Sequence, residues 1–267
     1  MVYINDDEKI KNLANNMNTD NVYIFMDFDK TITIKQCVDS WDASANSEIL
    51  GDELSSELTR YYKKYRPIEV DYKLEQNEKE KYMIEWYEKC MNLYYEYGLT
   101  KEKLEKSIKE SKLIFREGAK EFIEKTKENN IPLIILSAGI GNVIEEFLKI
   151  NNCYFNNIYI ISNFIKFDEN GNMKKFEDNM IHSLNKTIEG HLSQKCKNEI
   201  KDRKSGILMG DLIDDKKMAD KNNIDNIVTV GFLNNEENLE LYNKNFDVVL
   251  TKNNANFEQI EKLLFKK

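Results

Sequence analysis

The sequence is poor in the residues that mark several common kinds of protein. Among 267 residues there are two histidines, His182 and His191, and four cysteines, Cys37, Cys90, Cys153 and Cys196, with no Cys-x-x-Cys pair. Ligands so few and so scattered suggest neither a disulfide framework nor a zinc centre, and the cysteines read as reduced thiols. No apolar run approaches the roughly 18 residues that a membrane-spanning helix needs, and the start MVYINDDEKIKN lacks the basic-then-apolar layout of a secretory signal. A cytoplasmic chain without a membrane partner is the expectation. Positive charge is also short: 39 lysines and arginines face 47 aspartates and glutamates, a net charge of -8. Proteins that grip a phosphate backbone carry an excess of base, so a small-molecule substrate is expected rather than nucleic acid. With two prolines, Pro67 and Pro132, and no biased segment or internal repeat, nothing reads as a linker between independent units.

What the chain does have is alternation. The run VYIFM, residues 22–26, is short, rich in β-formers and apolar on both faces, as a strand in the middle of a parallel sheet must be. Similar runs follow at 132–137, 158–162, 206–210, 226–231 and 246–250. Most are separated by amphipathic stretches of helical period, such as GAKEFIEKTKENN, GNVIEEFLKINN, DDKKMADKNN and NNANFEQIEKLLFKK. A further helix is expected over residues 7–17, where Ile10, Leu13, Ala14 and Met17 share a face. Strands alternating with helices predict an α/β fold with a doubly wound, mostly parallel sheet. FIKF and MKKF, joined by a turn with Asn170 and Gly171, predict a hairpin within 164–176. Residues 34–112 break the alternation: Tyr, Trp, Met and Leu recur there at three and four residues, punctuated by Pro67 and Gly98, which predicts an inserted bundle of helices. Its aromatic stripe is read as the bundle's own packing.

In a parallel sheet, the side chains that follow the carboxyl ends of the strands share a crevice, and ligands bind there. The first long strand ends in MDFDKTIT, with Asp27 and Asp29 two residues apart. Carboxylates so close repel, so the pair predicts a divalent cation, a raised pKa, or both; a turn with incidental acids is the plainer alternative. Ser137-Ala138-Gly139-Ile140-Gly141-Asn142 follows the next core strand and leads into a helix, where a hydroxyl and free N-H groups suit an anion. Another strand ends in Gly210-Asp211-Leu212-Ile213-Asp214-Asp215, and oxygen ligands of this hard type favour Mg2+, with helix capping the alternative for Asp214 or Asp215. Lys186, in HSLNK, offers a point charge for a phosphate.

The order D-x-D-x-T, Ser-Ala-Gly, Lys, G-D-x-x-x-D on an alternating α/β chain resembles the haloacid dehalogenase superfamily of phosphatases. Whole phrases go further: MDFDKTIT, YYKKYRPIEVD, YMIEWYEKC, IPLIILSAGIGNVIEEF, IHSLNK, GDLIDDKKMAD and VGFLN resemble the cytosolic pyrimidine 5'-nucleotidase family, cytosolic 5'-nucleotidase III, from about residue 22 to the end. The resemblance implies a Rossmann-like catalytic core formed by 1–33 and 113–267, with 34–112 inserted as a cap. It also implies Mg2+-dependent hydrolysis of nucleoside 5'-monophosphates, chiefly UMP and CMP, with 7-methylguanosine monophosphate in one branch. D-K-T-x-T read from Asp29 matches the phosphorylation signature of P-type ion pumps as well, but those require many transmembrane helices. Asp27 is therefore taken as the nucleophile.

The resemblance assigns the remaining roles. Asp29 is the acid and base, its pKa raised by the neighbouring carboxylate. Mg2+ is held by Asp27, the carbonyl of Asp29 and Asp211, with Asp215 and Gly139 in support. Thr31, Ser137, the Ala138 amide and Lys186 grip the phosphate oxygens. Glu69 reads the base, and Cys90 stands where the family has a substrate-contacting serine, which leaves the nucleotide open. The loop IKQCVDSWDASANSEILG departs from the family's wording and contributes no assigned residue, Trp41 being read as packing. Two rivals differ in substrate or class. One is a phosphatase for a small acid phosphate such as phosphoserine, which calls for an arginine clamp, Arg60 or Arg66. The other is a phosphate-binding module without turnover, which has no use for an acid and base.

Overall fold

A computed structural model describes residues 1–17, 20–71, 73–187, 191–219 and 227–265. Seven strands form one sheet: β1 (Val2–Ile4), β2 (Val22–Met26), β3 (Leu133–Ile140), β4 (Ile158–Asn163), β5 (Ser205–Gly210), β6 (Ile227–Leu233) and β7 (Val248–Thr251). Their order is β1-β7-β6-β5-β2-β3-β4, and every pairing is parallel except that of β1 with β7. β1 escapes sequence reading because three residues carry no period; it pairs along β7 with Val2 opposite Leu250. β2 lies between β3 and β5 and is buried at all five positions, as its unbroken apolar run requires. The helices that the alternation predicts flank it: α1 (Asp7–Asn16), α7 (Ala119–Glu128), α8 (Gly141–Ile150) and α11 (Phe257–Leu264). Phe122, Ile144, Phe257 and Ile260 from these helices join Ile24, Met26 and Ile135 of the strands in one core cluster.

Several expected elements differ in form. DDKKMADKNN folds as a 3-10 helix over Ile213–Ala219, and its remainder, 220–223, lies outside the described residues, as do Asn226 at the start of the run 226–231 and 266–267 at the C-terminus. The predicted hairpin narrows to a single bridge between Phe167 and Met173, closed by the Gly171 N-H donating to Asp168 O (3.0 Å) with Gly171 at φ 80°. Two short helices, α9 (Gln194–Ile200) and α10 (Leu239–Asn243), have too few apolar positions to be read from period. Between Thr33 and Phe115, which pair with each other as an antiparallel bridge, the chain forms α2 (Ser40–Ser44), α3 (Ser47–Leu50), α4 (Asp52–Glu69), α5 (Gln76–Glu96) and α6 (Lys101–Glu110). Pro67 does not end α4 but sits in its last turn. Gly98 does end α5: at φ 65° it turns the chain so that Leu99 N-H reaches Tyr94 O (3.0 Å), a Schellman closure that a side chain would strain. α4 and α5 pack through aromatic rings, Tyr65 stacking on Trp86 at 5.8 Å.

The segment that carries Lys186 is braced from below by His182. That ring is wholly buried, its Nδ1 accepting from Leu184 N-H (3.3 Å), its edge against Tyr87, and its nearest acid, Glu80, 3.9 Å away. Burial pulls its pKa down to about 4 from 6.5. Below pH 6.5 the unfolded chain therefore takes up a proton that folded His182 refuses until about pH 4, so its contribution to stability is complete above that window and lost through it. Relative to His182→Asn, which keeps an acceptor near the place of Nδ1, the wild-type protein should lose about 3 kcal/mol between the two ends of this window. Urea unfolding of both proteins across that range measures the difference; parallel curves would remove His182 as its source.

Candidate active site

β2, β3 and β5 bring their carboxyl ends together, and the residues that follow each strand line one cavity with about 910 Å3 of empty space, its open mouth included. Asp27, Asp29, Ser137, Ala138, Gly139, Lys186 and Asp211 are all on its wall. Asp27 follows β2 directly, its N-H donating to Met209 O (2.9 Å), so the sheet's own ladder fixes its position. The next turn is tight: Lys30 has φ 62°, and its N-H donates to Thr33 Oγ1 (2.9 Å). Thr31, also expected at the site, is wholly buried and its hydroxyl has no partner among the described residues. In β3 the register with β4 slips between Leu136 and Ile140, and this irregularity carries Ser137 to Gly139; Gly139 N-H donates to Ser137 Oγ (3.1 Å).

Charge is concentrated at the floor. Asp27, Asp211 and Asp215, all buried, can each offer one oxygen so that the three lie within 4.8 Å of one another. Lys186 lies between them, donating to Asp27 Oδ1 and to Asp215 Oδ1 (2.8 Å). Its hydrogen bonds within the protein go to these carboxylates, and it also lines the cavity. Burial pushes the Asp27 carboxyl well above its usual range; Lys186 opposes this, and the charges of Asp215 and Asp211 reinforce it. Asp211 is raised to about 6, by burial first and Asp215 second, although Asn234 Nδ2 donates to it (3.1 Å). Burial would lower Lys186, but the Asp215 and Asp27 carboxylates raise it above the ordinary lysine range. Asp215 does cap locally, accepting from Leu212 N-H (2.9 Å), and its carboxylate also belongs to the cluster. Gly210 is required for it: a Cβ there would lie 2.3 Å from Asp215 Oδ2.

Asp29 is held differently. Both its oxygens accept from Ser40, Oδ1 from the N-H (2.8 Å) and Oδ2 from the hydroxyl (2.5 Å). Its pKa is raised to about 7, as expected, but the cause is burial and then Asp39 rather than Asp27. Asp39 and Ser40 belong to the loop to which sequence reading gives no role. Neither shows any pattern along the chain, and their relevance arises only because the loop folds back over Asp29.

The other end of the cavity is lined by Trp41, Leu58, Tyr62, Trp86, Tyr87 and Cys90 from the helical segment. The aromatic stripe is thus packing and wall at once: Trp41 stacks on Tyr94 (6.1 Å) and meets Tyr87 edge-on (5.4 Å), while its Nε1 donates to Ala138 O (3.3 Å). Glu69, at the end of α4, is buried rather than solvated, ion-paired with Arg66, and its carbonyl accepts from Lys79 (3.0 Å). Cys90 is buried; its surroundings, and then the charge of Asp39, push the thiol up to about 12. Of the two arginines proposed for a carboxylate clamp, Arg66 reaches the cavity but is bound to Glu69, and Arg60 is exposed and paired with Glu57 outside it.

The family described as pyrimidine 5'-nucleotidase (UMPH-1) matches residues 25–265. The human 7-methylguanosine phosphate-specific 5'-nucleotidase is 36% identical over 246 residues, covering 87% of this chain and 80% of its own. The crystal structure of cytosolic 5'-nucleotidase IIIB bound to cytidine superposes with a TM-score of 0.85 at 28% identity, covering 99% of this chain and 92% of the other. A phospho-aspartyl intermediate analogue of phosphoserine phosphatase shares the fold, with a TM-score of 0.59 at 19% identity over 91% of this chain and 98% of that one. The chain belongs to the pyrimidine 5'-nucleotidase family and is a 5'-nucleotidase, a phosphoric monoester hydrolase of the haloacid dehalogenase type.

Proposed function

We propose that the protein hydrolyses nucleoside 5'-monophosphates, pyrimidine nucleotides in particular, through an aspartyl-phosphate on Asp27, with Mg2+. The observation that carries this reading is the make-up of one cavity, lined both by Asp27, Asp211 and Lys186 of the charged cluster and by aromatic side chains with buried Glu69. A phosphomonoester on an aromatic base needs both kinds of surface at once. The donor set suits a hard cation, since Asp27, Asp211 and Asp215 offer only oxygens, and burial, reinforced by their mutual charge, raises the pKa of Asp27 and of Asp211; a divalent charge would relieve that mutual repulsion. Asp27 and Asp211, with the carbonyl of Asp29, would hold it, supported by Asp215. Bound there, it would supply charge neutralisation between the nucleophile and the incoming phosphate.

In the first step an Asp27 oxygen attacks phosphorus, the bond to the ribose 5'-oxygen breaks, and Asp29 gives its proton to that oxygen. In the second step Asp29 takes a proton from water, whose oxygen attacks the phosphorus and frees Asp27. A pKa near 7 lets one carboxyl serve both steps close to neutrality. Lys186 spends two of its three N-H donors on Asp27 and Asp215, leaving one for a phosphate oxygen. The Thr31 hydroxyl, Ser137 and the Ala138 amide complete the grip. The helices of 34–112 act as a cap that keeps bulk water from the phosphoenzyme and carries the base pocket, Glu69 accepting from a nucleobase N-H. Two relatives bear on the base: one is bound to cytidine and another is named for 7-methylguanosine phosphate. Phosphoserine fits less well, because Arg66 is already bound to Glu69.

Phosphate release from UMP, CMP, dTMP, AMP, GMP, 7-methyl-GMP and phosphoserine tests the reading. Nucleotides should lead, a chelator should abolish turnover and Mg2+ should restore it; a preference for phosphoserine would sink the nucleotidase assignment. Asp27→Asn should eliminate both turnover and phosphoenzyme, and an active variant would mean that another group attacks. Glu69→Gln preserves volume while exchanging an acceptor for a donor, so it should lower kcat/KM for the preferred nucleotide by about tenfold or more, the worth of one charged hydrogen bond, and spare 4-nitrophenyl phosphate. Equal losses on both substrates would take Glu69 out of the base pocket.

A further inference from the structure

Ser40 is the first residue of α2, and it is wholly buried. It ties together Asp29, just past β2, and the end of β3. Its N-H and hydroxyl engage the two oxygens of Asp29 (2.8 and 2.5 Å), and its hydroxyl accepts from the Ile140 N-H at the end of β3 (3.3 Å). Gly139 makes the room: a Cβ at that position would lie 1.8 Å from Ser40 Oγ and 2.9 Å from Asp29 Oδ2. A carboxyl bound through both oxygens has lost rotation about its terminal torsion, which is otherwise broad. We propose that Ser40 is the positioning residue of the proton-transfer step, fixing the Asp29 carboxyl to α2 and β3 so that its proton is presented to the leaving oxygen.

The assignment rests on the reading of Asp29 as acid and base, and it adds a consequence. The hydroxyl can serve either protonation state: it donates to the carboxylate, and it accepts the proton of the acid at Oδ2, while the Ser40 N-H stays on Oδ1 throughout. Asp29 therefore gains and loses its proton without surrendering its place. Because Ser40 begins the first helix of the insertion, the orientation of the acid depends on how that helix sits against β3. The acid is thus set by the helical segment, whereas the nucleophile is set by the sheet.

Leaving groups separate this role from a merely structural one. Ribose departs as an alkoxide and needs a proton; 4-nitrophenolate departs without one. The first step is read alone as the rate of phosphoenzyme formation in single turnovers, since the second step, with Asp29 as base, is common to both substrates. Ser40→Ala should lower that rate for CMP by at least about tenfold, part of the 10²–10⁴ that a general acid contributes, while the rate for 4-nitrophenyl phosphate stays within about threefold. Ser40→Gly removes the same hydroxyl and should give the same selective loss, and thermal unfolding identifies which variants are folded. Asp29→Asn provides the reference and should slow phosphoenzyme formation from CMP selectively and more severely. If Asp29→Asn slows phosphoenzyme formation from both substrates equally, the acid role fails and Ser40 with it. If Asp29→Asn is selective but folded Ser40→Ala and Ser40→Gly leave the ratio of the two rates unchanged, Ser40 alone is overturned.

Discussion

Mutual repulsion among buried carboxylates is the constraint to which the rest of this molecule answers. Asp27, Asp211 and Asp215 stand within 4.8 Å of one another with Lys186 as the cation bonded between two of them. At an effective dielectric near 20, two like charges at such a distance repel by about 3 kcal/mol, a large share of a domain's net stability. The cost is met by one lysine, by protons retained above the usual pH range and, in the proposed reaction, by a divalent cation. In the proposed reaction each of those compensations also serves catalysis. An apolar pair would stabilise the fold at least as well, but it would attract neither metal nor phosphate.

Such crowding needs a rigid frame, and the frame is the parallel sheet. Five paired positions between β2 and β5 fix where Asp27 and Asp211 emerge, and close approach is won by omitting side chains. Gly210 admits Asp215, and Gly139 admits Ser40 and Asp29. These glycines serve space rather than backbone freedom, since neither has a positive φ.

The helical segment contributes the opposite kind of surface. Its rings pack on one another and still leave faces toward the cavity, so one set of aromatic residues both stabilises the segment and forms the wall. Buried Glu69 is tolerable there because Arg66 accompanies it. The pairing also answers a question of specificity: an arginine that neutralises its own neighbour is not free to clamp a substrate's carboxylate.

By itself the sequence determined the strands, most of the long helices and the chemistry at the strand ends. Those features are local: a buried parallel strand must be apolar throughout, an amphipathic helix must repeat near 3.6, and MDFDKTIT and GDLIDD name their carboxylates outright. The three residues of β1 and the short helices were illegible for the same reason, having too few positions to show a period. Only the tertiary structure decided which charges face one another. That Lys186 would rest on Asp27 and Asp215, that Asp39 rather than Asp27 would raise Asp29, and that Ser40 would hold it depend on segments 11 to 159 residues apart meeting in space. Electrostatics and hydrogen bonding act through distance, and distance between such segments is set by folding, not by order along the chain.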